Sequence, residues 1–350
     1  MEPKRDTKAK LDFIALIIIL SAAAVVAHGY FKLVAEPSYD ARFALHQAII
    51  EGTAPSPYRY RILVPFIAEP FIRYSPTSNY KEAFVLTYEI YDLLAIFFLL
   101  AALFIWLKNW FTREQALTGV LFVAATMPIA LKNHYFQPWS LLEAALLTTA
   151  LLAIYRKRHW LLAFIVLLAS LNRETGVFIP LAFLLASVDL GRLLRLKNKI
   201  DWKPIMLFAG YLLLWAAVFF GNRYFRGTAP PIETVEGLWA RNTTRDWLYL
   251  TFVNGSLFLG GFWVFAVFGF RYAPAFIRRV ALIIPAYLVT VMLWGVWYEV
   301  RLLMPLYPVL LPLGLSFVFR QGMTTMSPAI KSGDNPPIPS TKSRKKKHTR

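Results

Sequence analysis

Long, nearly uncharged apolar runs recur along this chain and limit what it can fold into. Each is close to the ~20 residues that a helix needs to cross a bilayer. Lipid offers no hydrogen-bond partners to a bare backbone, so such runs must form helices or the strands of a closed barrel. Barrel strands alternate apolar and polar residues, and these runs do not. The pattern therefore predicts an all-α, polytopic transmembrane bundle of about ten segments.

The composition agrees with this fold class. Hydrophobic residues make up 57% of the chain and charged residues 17%, whereas soluble domains carry about 25% charged residues. The predicted segments are residues 11–31, 84–107, 116–132, 139–155, 160–171, 176–190, 204–221, 247–269, 280–298 and 302–319.

Two of these segments are too short to cross a bilayer alone. Residues 160–171 span only about 18 Å of helix at ~1.5 Å per residue. Either residues 160–190 form one tilted span, or they form a hairpin with Asn172 to Gly176 at its apex. Basic residues precede the pair and follow it, and both groups favour the cytoplasm. The basic flanks are Arg156, Lys157 and Arg158 before it and Arg192, Arg195, Lys197 and Lys199 after it. We therefore predict the hairpin.

The positive-inside rule then sets the organisation of the chain. We predict a transmembrane domain over residues 1–320, with both termini cytoplasmic and the protein in the inner (plasma) membrane. Residues 32–82 form its first external loop, with an interfacial helix over residues 40–51. Residues 321–350 are rich in Pro, Ser and Lys and predict a disordered, basic, cytoplasmic tail.

Charge and cysteine content exclude several functions. The net charge of +18 comes largely from short loops and the tail, so it follows from topology and does not indicate a nucleic-acid partner. The chain has no cysteine, which excludes disulfides, thiolate catalysis and cysteine-bound metals. It also lacks a glycine-rich phosphate loop, so we expect no nucleotide site.

The first external loop carries polar candidates for chemistry, because charges at membrane depth are costly and usually functional. Asp40 precedes a short helical stretch, where it could cap the helix, act as a catalytic carboxylate, or do both. Arg59 and Arg61 lie in a proline and aromatic frame. Their planar guanidinium groups suit a phosphate, although anchoring to lipid headgroups is the alternative.

Further polar candidates fall at other external positions. Asn172, Arg173, Glu174 and Thr175 stand between two apolar helices and favour a functional role for the Arg–Glu pair. Glu299 and Arg301 mark the external junction of the last two segments, where they are either binding residues or a salt bridge within an interfacial aromatic belt. His134 is a binding candidate or an ordinary interfacial histidine. Glu89 and Asp92 share one helix face, and we expect the external arginines to pair with them.

This arrangement resembles the GT-C class of membrane glycosyltransferases, which includes protein mannosyltransferases and lipid A aminoarabinose transferases. The similarity is of pattern and spans roughly residues 11–319. It comprises an acidic residue in the first external loop, interfacial helices there, short paired membrane helices, and a Glu-x-Arg-x-x-x-Pro-like stretch, here Glu299 to Pro305.

The resemblance implies a polyprenyl-phosphate sugar donor whose lipid tail lies between helices. It implies that Asp40 acts as the general base, with Glu174 as a second catalytic carboxylate. It also implies that Arg59, Arg61, Arg173 and Arg301 offset the charge on the leaving phosphate, with Glu299 and His134 completing the binding set.

Other functions stay open at this stage. A transporter or flippase for a lipid-linked or anionic substrate is the main alternative, because broken helices and intramembrane charges also mark transport pathways. No cofactor is expected. A divalent cation held by carboxylate oxygens stays open, although no residues have metal-ligand spacing.

Overall fold

The computed structural model describes residues 5–77, 79–132, 136, 138–188 and 202–320. The described part of the chain is mostly helical. The only β-type pairing there is an isolated bridge between Ser56 and Pro231. The predicted tail over residues 321–350 lies outside the described residues, as does His134. The all-α prediction is confirmed for the part that is described.

The helices follow the apolar segments closely. In chain order they are α1 (Arg5–Tyr30, continued by a π-helical turn Phe31–Ala35), α2 (Tyr39–Glu51), α3 (Leu63–Arg73), α4 (Tyr80–Leu107), α5 (Arg113–Leu131), α6 (Pro138–Tyr155), α7 (His159–Asn172), α8 (Phe178–Ser187), α9 (Trp202–Arg226), α10 (Val235–Asn242), α11 (Arg245–Leu257), α12 (Trp263–Gly269), α13 (Ala275–Val280), α14 (Ile283–Trp294) and α15 (Tyr307–Val318). Short 3-10 turns cover Tyr58–Tyr60, Glu174–Val177, Phe258–Gly261 and Val300–Leu306.

Seven described helices are long and apolar enough to cross a membrane, and the expected count of about ten is not confirmed. An eighth span is added if Arg245–Gly261 and Trp263–Gly269, which meet at 64°, are counted as one. The remaining apolar helices, His159–Asn172 and Glu174–Ser187, are shorter. The seven are Lys10–Ala35, Tyr80–Leu107, Arg113–Leu131, Pro138–Tyr155, Trp202–Arg226, Ala275–Trp294 and Val300–Val318.

The two short helices, α7 and α8, form the predicted hairpin. The backbone is extended at Arg173, and Gly176 then lies so close to Ala169 that a Cβ atom on it would approach the Ala169 carbonyl carbon to 2.9 Å. At the open end of the hairpin, the rings of His159 and Phe183 lie 5.9 Å apart. A single tilted span could not make these contacts, because residues 159 and 183 would lie about 36 Å apart along a helix.

Three loops predicted to be cytoplasmic that the structure describes, residues 108–115, 155–159 and 270–279, lie together at one end of the bundle, which we call the basic end. Asp12 bridges Lys108 at 2.6 Å and Arg113 at 2.8 Å. Tyr155 packs on Phe276, with ring centroids 5.3 Å apart. The opposite end carries the hairpin apex and the first external loop, and we call it the apex end.

The interfacial helix predicted over residues 40–51 is present as α2, but its orientation differs from the expectation. Its polar residues Arg42 and His46 are buried, at 3% and 0% exposure. They turn inward because Asp92 and Glu69 offer carboxylate partners there. Helix α2 thus packs its polar side on protein, against α3 and α4.

The hairpin can be tested by labelling, since the chain has no native cysteine. We expect Arg156→Cys and Ser187→Cys, both exposed at the basic end, to react with a membrane-impermeant maleimide from the same side of the membrane. Glu51→Cys at the apex end should react from the other side. Reaction of positions 156 and 187 from opposite sides would contradict the hairpin.

Candidate functional site

Arginine–carboxylate pairs converge at the apex end of the bundle. Arg61 donates from Nε and Nη2 to Glu174 Oε2, at 3.2 and 3.1 Å. Arg173 donates to Glu143 Oε2 at 2.7 Å, and Arg301 donates to Glu299 Oε2 at 2.6 Å. Together with Arg223, these side chains define what we call the arginine site: Arg61, Arg173, Arg223, Arg301, Glu143, Glu174 and Glu299.

Glu143 is the most enclosed acid of the site. Besides Arg173, its carboxylate accepts a hydrogen bond from Thr175 and lies 3.3 Å from the hydroxyl of Tyr287. The Tyr287 hydroxyl also lies 2.8 Å from the Leu302 carbonyl oxygen. These contacts join α6, the hairpin apex, α14 and the last 3-10 turn around a cavity of about 10 Å³, which is room for one water molecule.

Glu174 is the accessible acid of the site. Its side chain is 25% exposed, against 8% for Glu143. Arg61 holds one carboxylate oxygen, and Arg223 Nη2 lies 3.7 Å from the other. The backbone is held as well, because Trp215 donates to the Glu174 carbonyl oxygen at 3.2 Å. Glu174 is thus fixed between two cations with an open edge.

Aromatic rings fix Arg61. Its guanidinium lies 5.4 Å from the centroid of Tyr58 and 5.7 Å from that of Trp139, and these two rings stack at 5.3 Å. Trp139 donates to the Arg61 carbonyl oxygen at 2.9 Å, and Asn172 donates to the Trp139 carbonyl oxygen at 3.0 Å. The first external loop is thereby tied to the hairpin.

In the part of the chain that the structure describes, the site carries more positive than negative charge. Its four arginines face three glutamates. Arg59 and Arg226, which lie beside it, have no carboxylate within ion-pair distance among the described residues. An excess of desolvated guanidinium groups favours an anionic ligand, and planar forks favour phosphate or carboxylate.

A second buried network lies between α2, α3 and α4. His46 Nε2 lies 2.9 Å from Glu69 Oε2, and its Nδ1 lies 3.0 Å from the Tyr88 hydroxyl. Glu69 also accepts from Tyr80 at 2.7 Å and from Arg73 at 2.5 Å. Both ring nitrogens of His46 and both carboxylate oxygens of Glu69 have partners in this network, which indicates that it locks the first external loop in place.

The expectation of an arginine partner is confirmed for Asp92, whereas Glu89 has no arginine within 4.0 Å among the described residues. Arg42 Nη2 lies 3.6 Å from Asp92 Oδ2, and both side chains are almost fully buried. Arg42 also lies over the rings of Tyr88 and Phe136, at 5.8 and 5.7 Å. This pair serves the packing of the loop on α4.

Asp40 lies apart from the arginine site. It is the second residue of α2, and the N-cap position belongs to Ser38, so the capping expectation was wrong by two residues. Its side chain is 87% exposed and lies 3.3 Å from Lys81 Nζ. Within the described residues its carboxylate pairs with none of the site's arginines, so its role as general base stays a prediction.

Five residues of the arginine site were predicted as site residues from the sequence: Arg61, Arg173, Glu174, Glu299 and Arg301. Glu143, Arg223 and the neighbouring Tyr287 were not. Glu143 gave a signal, namely a lone acid one turn into an apolar run. Arg223 gave a weaker one, because basic residues commonly close a membrane helix. Tyr287 gave none, since an aromatic residue in an apolar helix is ordinary.

Comparison with protein-family models, with curated proteins and with solved structures found no match to this chain. Among the residues that the structure describes, no three His, Asp or Glu side chains gather in a way that could hold a metal ion. The function of the chain is therefore inferred from the geometry of the arginine site.

Glu143→Gln should destabilise the protein, because it removes the charge that faces the buried guanidinium of Arg173. Breaking a buried pair in this way costs about 3–5 kcal/mol. We expect a lower thermal unfolding midpoint in detergent, with Glu236→Gln on the exposed surface unchanged as a control. Equal midpoints for wild type and Glu143→Gln would contradict the structural role.

The stability of the first external loop should depend on pH through His46 and Glu69. Burial lowers the pKa of His46 below its ordinary 6.5, against the opposing hydrogen bond and charge of Glu69. Burial acts to raise the pKa of Glu69, but hydrogen bonds from Arg73, His46 and Tyr80 leave it below the ordinary 4.5. Both groups therefore bind protons more readily in the unfolded chain.

Stability should fall as pH drops below about 6.5 because of His46, and fall further below about 4.5 because of Glu69. We expect the unfolding midpoint of the wild type to decrease between about pH 7.5 and about pH 5.5. The decrease should be smaller in His46→Gln. The same decrease in both proteins would show that His46 does not titrate in this way.

Proposed function

We propose that this chain is a membrane glycosyltransferase that moves a sugar from a polyprenyl-phosphate donor to an acceptor hydroxyl at the apex end. The observation that carries the proposal is Glu174, a partly exposed carboxylate held between Arg61 and Arg223 in a site with more arginines than carboxylates. A general base beside phosphate-binding cations is what such a transfer needs.

The chemistry proceeds by direct displacement. The acceptor oxygen attacks the anomeric carbon and forms the new glycosidic bond, while the bond from that carbon to the phosphate oxygen breaks. A carboxylate takes the proton of the acceptor hydroxyl. The polyprenyl phosphate leaves with the bonding electrons, and the guanidinium groups stabilise the charge that develops on it. One displacement inverts the anomeric centre.

Glu174 and Asp40 are the two proposed carboxylates, and their surroundings suit them to different degrees. Glu174 lies beside the cations that would hold the phosphate. Asp40 has only Lys81 as its ion-pair partner in the described part of the chain. The geometry therefore favours Glu174 as the base.

The surroundings of the site support a lipid-linked donor. Arg223 and Trp215, which contact Glu174, lie on α9. The outward side of this helix is strongly exposed and apolar, with Leu213 at 70% and Phe220 at 64% exposure. A donor whose apolar tail rests along α9 would bring its phosphate to the helix end where Arg223 lies.

A transporter or flippase stays the alternative, because discontinuous helices such as the pair meeting at 64° also occur in transporters. The two functions differ in the fate of the donor. A transferase cleaves the bond between sugar and phosphate, whereas a flippase moves the intact lipid between leaflets.

The test uses proteoliposomes with the full chain, a panel of radiolabelled polyprenyl-phosphate hexoses and pentoses, and a cell-envelope extract as acceptor source. We expect release of polyprenyl phosphate and a labelled product. Glu174→Gln should lower the rate by about 100-fold or more, while the exposed control Glu236→Gln keeps it.

Each remaining outcome has a definite meaning. A large loss in Asp40→Asn with full activity in Glu174→Gln would make Asp40 the base and remove Glu174. Movement of intact donor across the bilayer without cleavage would establish the flippase and end the transferase proposal. Arg61→Gln should also lose most of the rate, because it removes a proposed phosphate contact together with the ion-pair partner of Glu174.

A further inference from the structure

Arg59 and Arg226 form a second cationic feature that the arginine site does not include. Arg59 lies only two residues before Arg61, yet its guanidinium donates to the Thr228 carbonyl oxygen at 3.1 Å instead of facing Glu174. Arg226, the last residue of α9, donates to the carbonyl oxygen of Ile49 near the end of α2. Each arginine thus reaches across to the segment that carries the other.

The two segments are held together by backbone contacts. Ser56 donates to the Pro230 carbonyl oxygen at 2.9 Å, and Ile232 donates to that of Ser56 at 3.0 Å. The Tyr60 hydroxyl donates to the Gly227 carbonyl oxygen at 3.0 Å. The positions of both arginines are therefore fixed by the fold.

A glycine in the left-handed conformation lies beside each guanidinium group. A Cβ atom on Gly52, at φ +73°, would lie 3.5 Å from Arg226 Nη2. A Cβ atom on Gly227, at φ +70°, would lie 3.8 Å from Arg59 Nη2. Each guanidinium group therefore lies next to a turn of the segment that carries the other arginine.

The charges of this pair are not compensated within the described residues. Neither guanidinium has a carboxylate within 4.0 Å, and the Nε atom of each is buried without a hydrogen-bond partner. The positive charges of Arg59 and Arg226 are also close enough to repel each other. The carbonyl contacts use one of the five N–H donors of each arginine, so most of the donor capacity is left for an anion.

Exposed aromatic residues lie beside Arg226. Arg226 lies 5.3 Å from the ring of Phe66, which is 45% exposed, and Tyr224 and Phe225 beside it are 83% and 85% exposed. Aromatic residues of this kind mark the boundary between hydrocarbon and water. An anion that reaches Arg59 and Arg226 there would carry apolar chains past these rings.

We propose that Arg59 and Arg226 form a binding site for the phosphate group of a membrane lipid, separate from the arginine site. The phosphate bridges the two guanidinium groups and so joins the first external loop to the end of α9. The acyl or prenyl chains lie along the exposed aromatic side chains. This inference does not depend on sugar transfer, since it concerns binding alone.

The experiment measures lipid binding to the detergent-solubilised full chain by native mass spectrometry. The probes are phosphatidylglycerol, phosphatidylcholine and inorganic phosphate. We expect one tightly bound phosphatidylglycerol and a loss of about tenfold or more in its affinity in Arg59→Gln/Arg226→Gln, because charge-assisted hydrogen bonds are removed.

The matched control is Arg156→Gln/Arg158→Gln, which removes the same charge from exposed positions at the basic end. It should bind phosphatidylglycerol as the wild type does. Equal affinities in the wild type and the Arg59/Arg226 variant, or equal losses in this variant and the control, would overturn the site. If the Gln variant does not fold, Arg59→Lys/Arg226→Lys is used instead, because it keeps both charges but removes the planar donor groups of arginine. We expect it to bind phosphatidylglycerol more weakly than the wild type does. Wild-type affinity in this variant would also overturn the site.

The remaining probes identify the source of the phosphate. The site is assigned to anionic lipid if two results are found. Inorganic phosphate at millimolar concentration does not displace phosphatidylglycerol, and phosphatidylcholine binds weakly. If inorganic phosphate displaces phosphatidylglycerol from the wild type, and the Arg59/Arg226 variant no longer binds inorganic phosphate, the two arginines still form a phosphate site. That result would overturn the role of the apolar chains.

Discussion

A buried charge inside an apolar bundle must be neutralised where it lies, and the pair of Arg173 and Glu143 meets this requirement at the centre of the apex end. Taking both groups out of water is costly, and only close contact with full hydrogen bonding offsets that cost. Glu143 receives Arg173 at 2.7 Å, with Thr175 and Tyr287 as further partners. The short hairpin can carry an arginine at its apex because α6 presents this carboxylate.

The same requirement organises the first external loop. Arg61 reaches Glu174 of the hairpin, and Arg42 reaches Asp92 of α4. Each contact ties one segment of the loop to a membrane helix, and the stacked rings of Tyr58 and Trp139 fill the space between. The loop is therefore part of the bundle and forms one wall of the arginine site.

The distribution of charge separates structural from functional groups. Glu143 and Asp92 are enclosed, and their arginines are matched to them. Glu174 keeps an open edge while two arginines hold it, and Arg59 and Arg226 face no carboxylate in the described part of the chain. Unmatched cations at the end of a membrane bundle are expensive unless a ligand neutralises them, which is why phosphate chemistry is proposed for both places.

The sequence by itself determined the all-α fold with several membrane-length helices, the hairpin, and the gathering of most site arginines and glutamates near the hairpin apex. It could do so because apolar run length and loop charge act locally along the chain. Only the tertiary structure decided which charges meet: that Glu143 and not Glu174 holds Arg173, that Arg59 and Arg61 face different ways, and that Asp40 stands outside the site. Such pairings depend on contacts between residues that are distant in the chain, 30 positions apart for Glu143 and Arg173 and 113 for Arg61 and Glu174, and no local pattern encodes them.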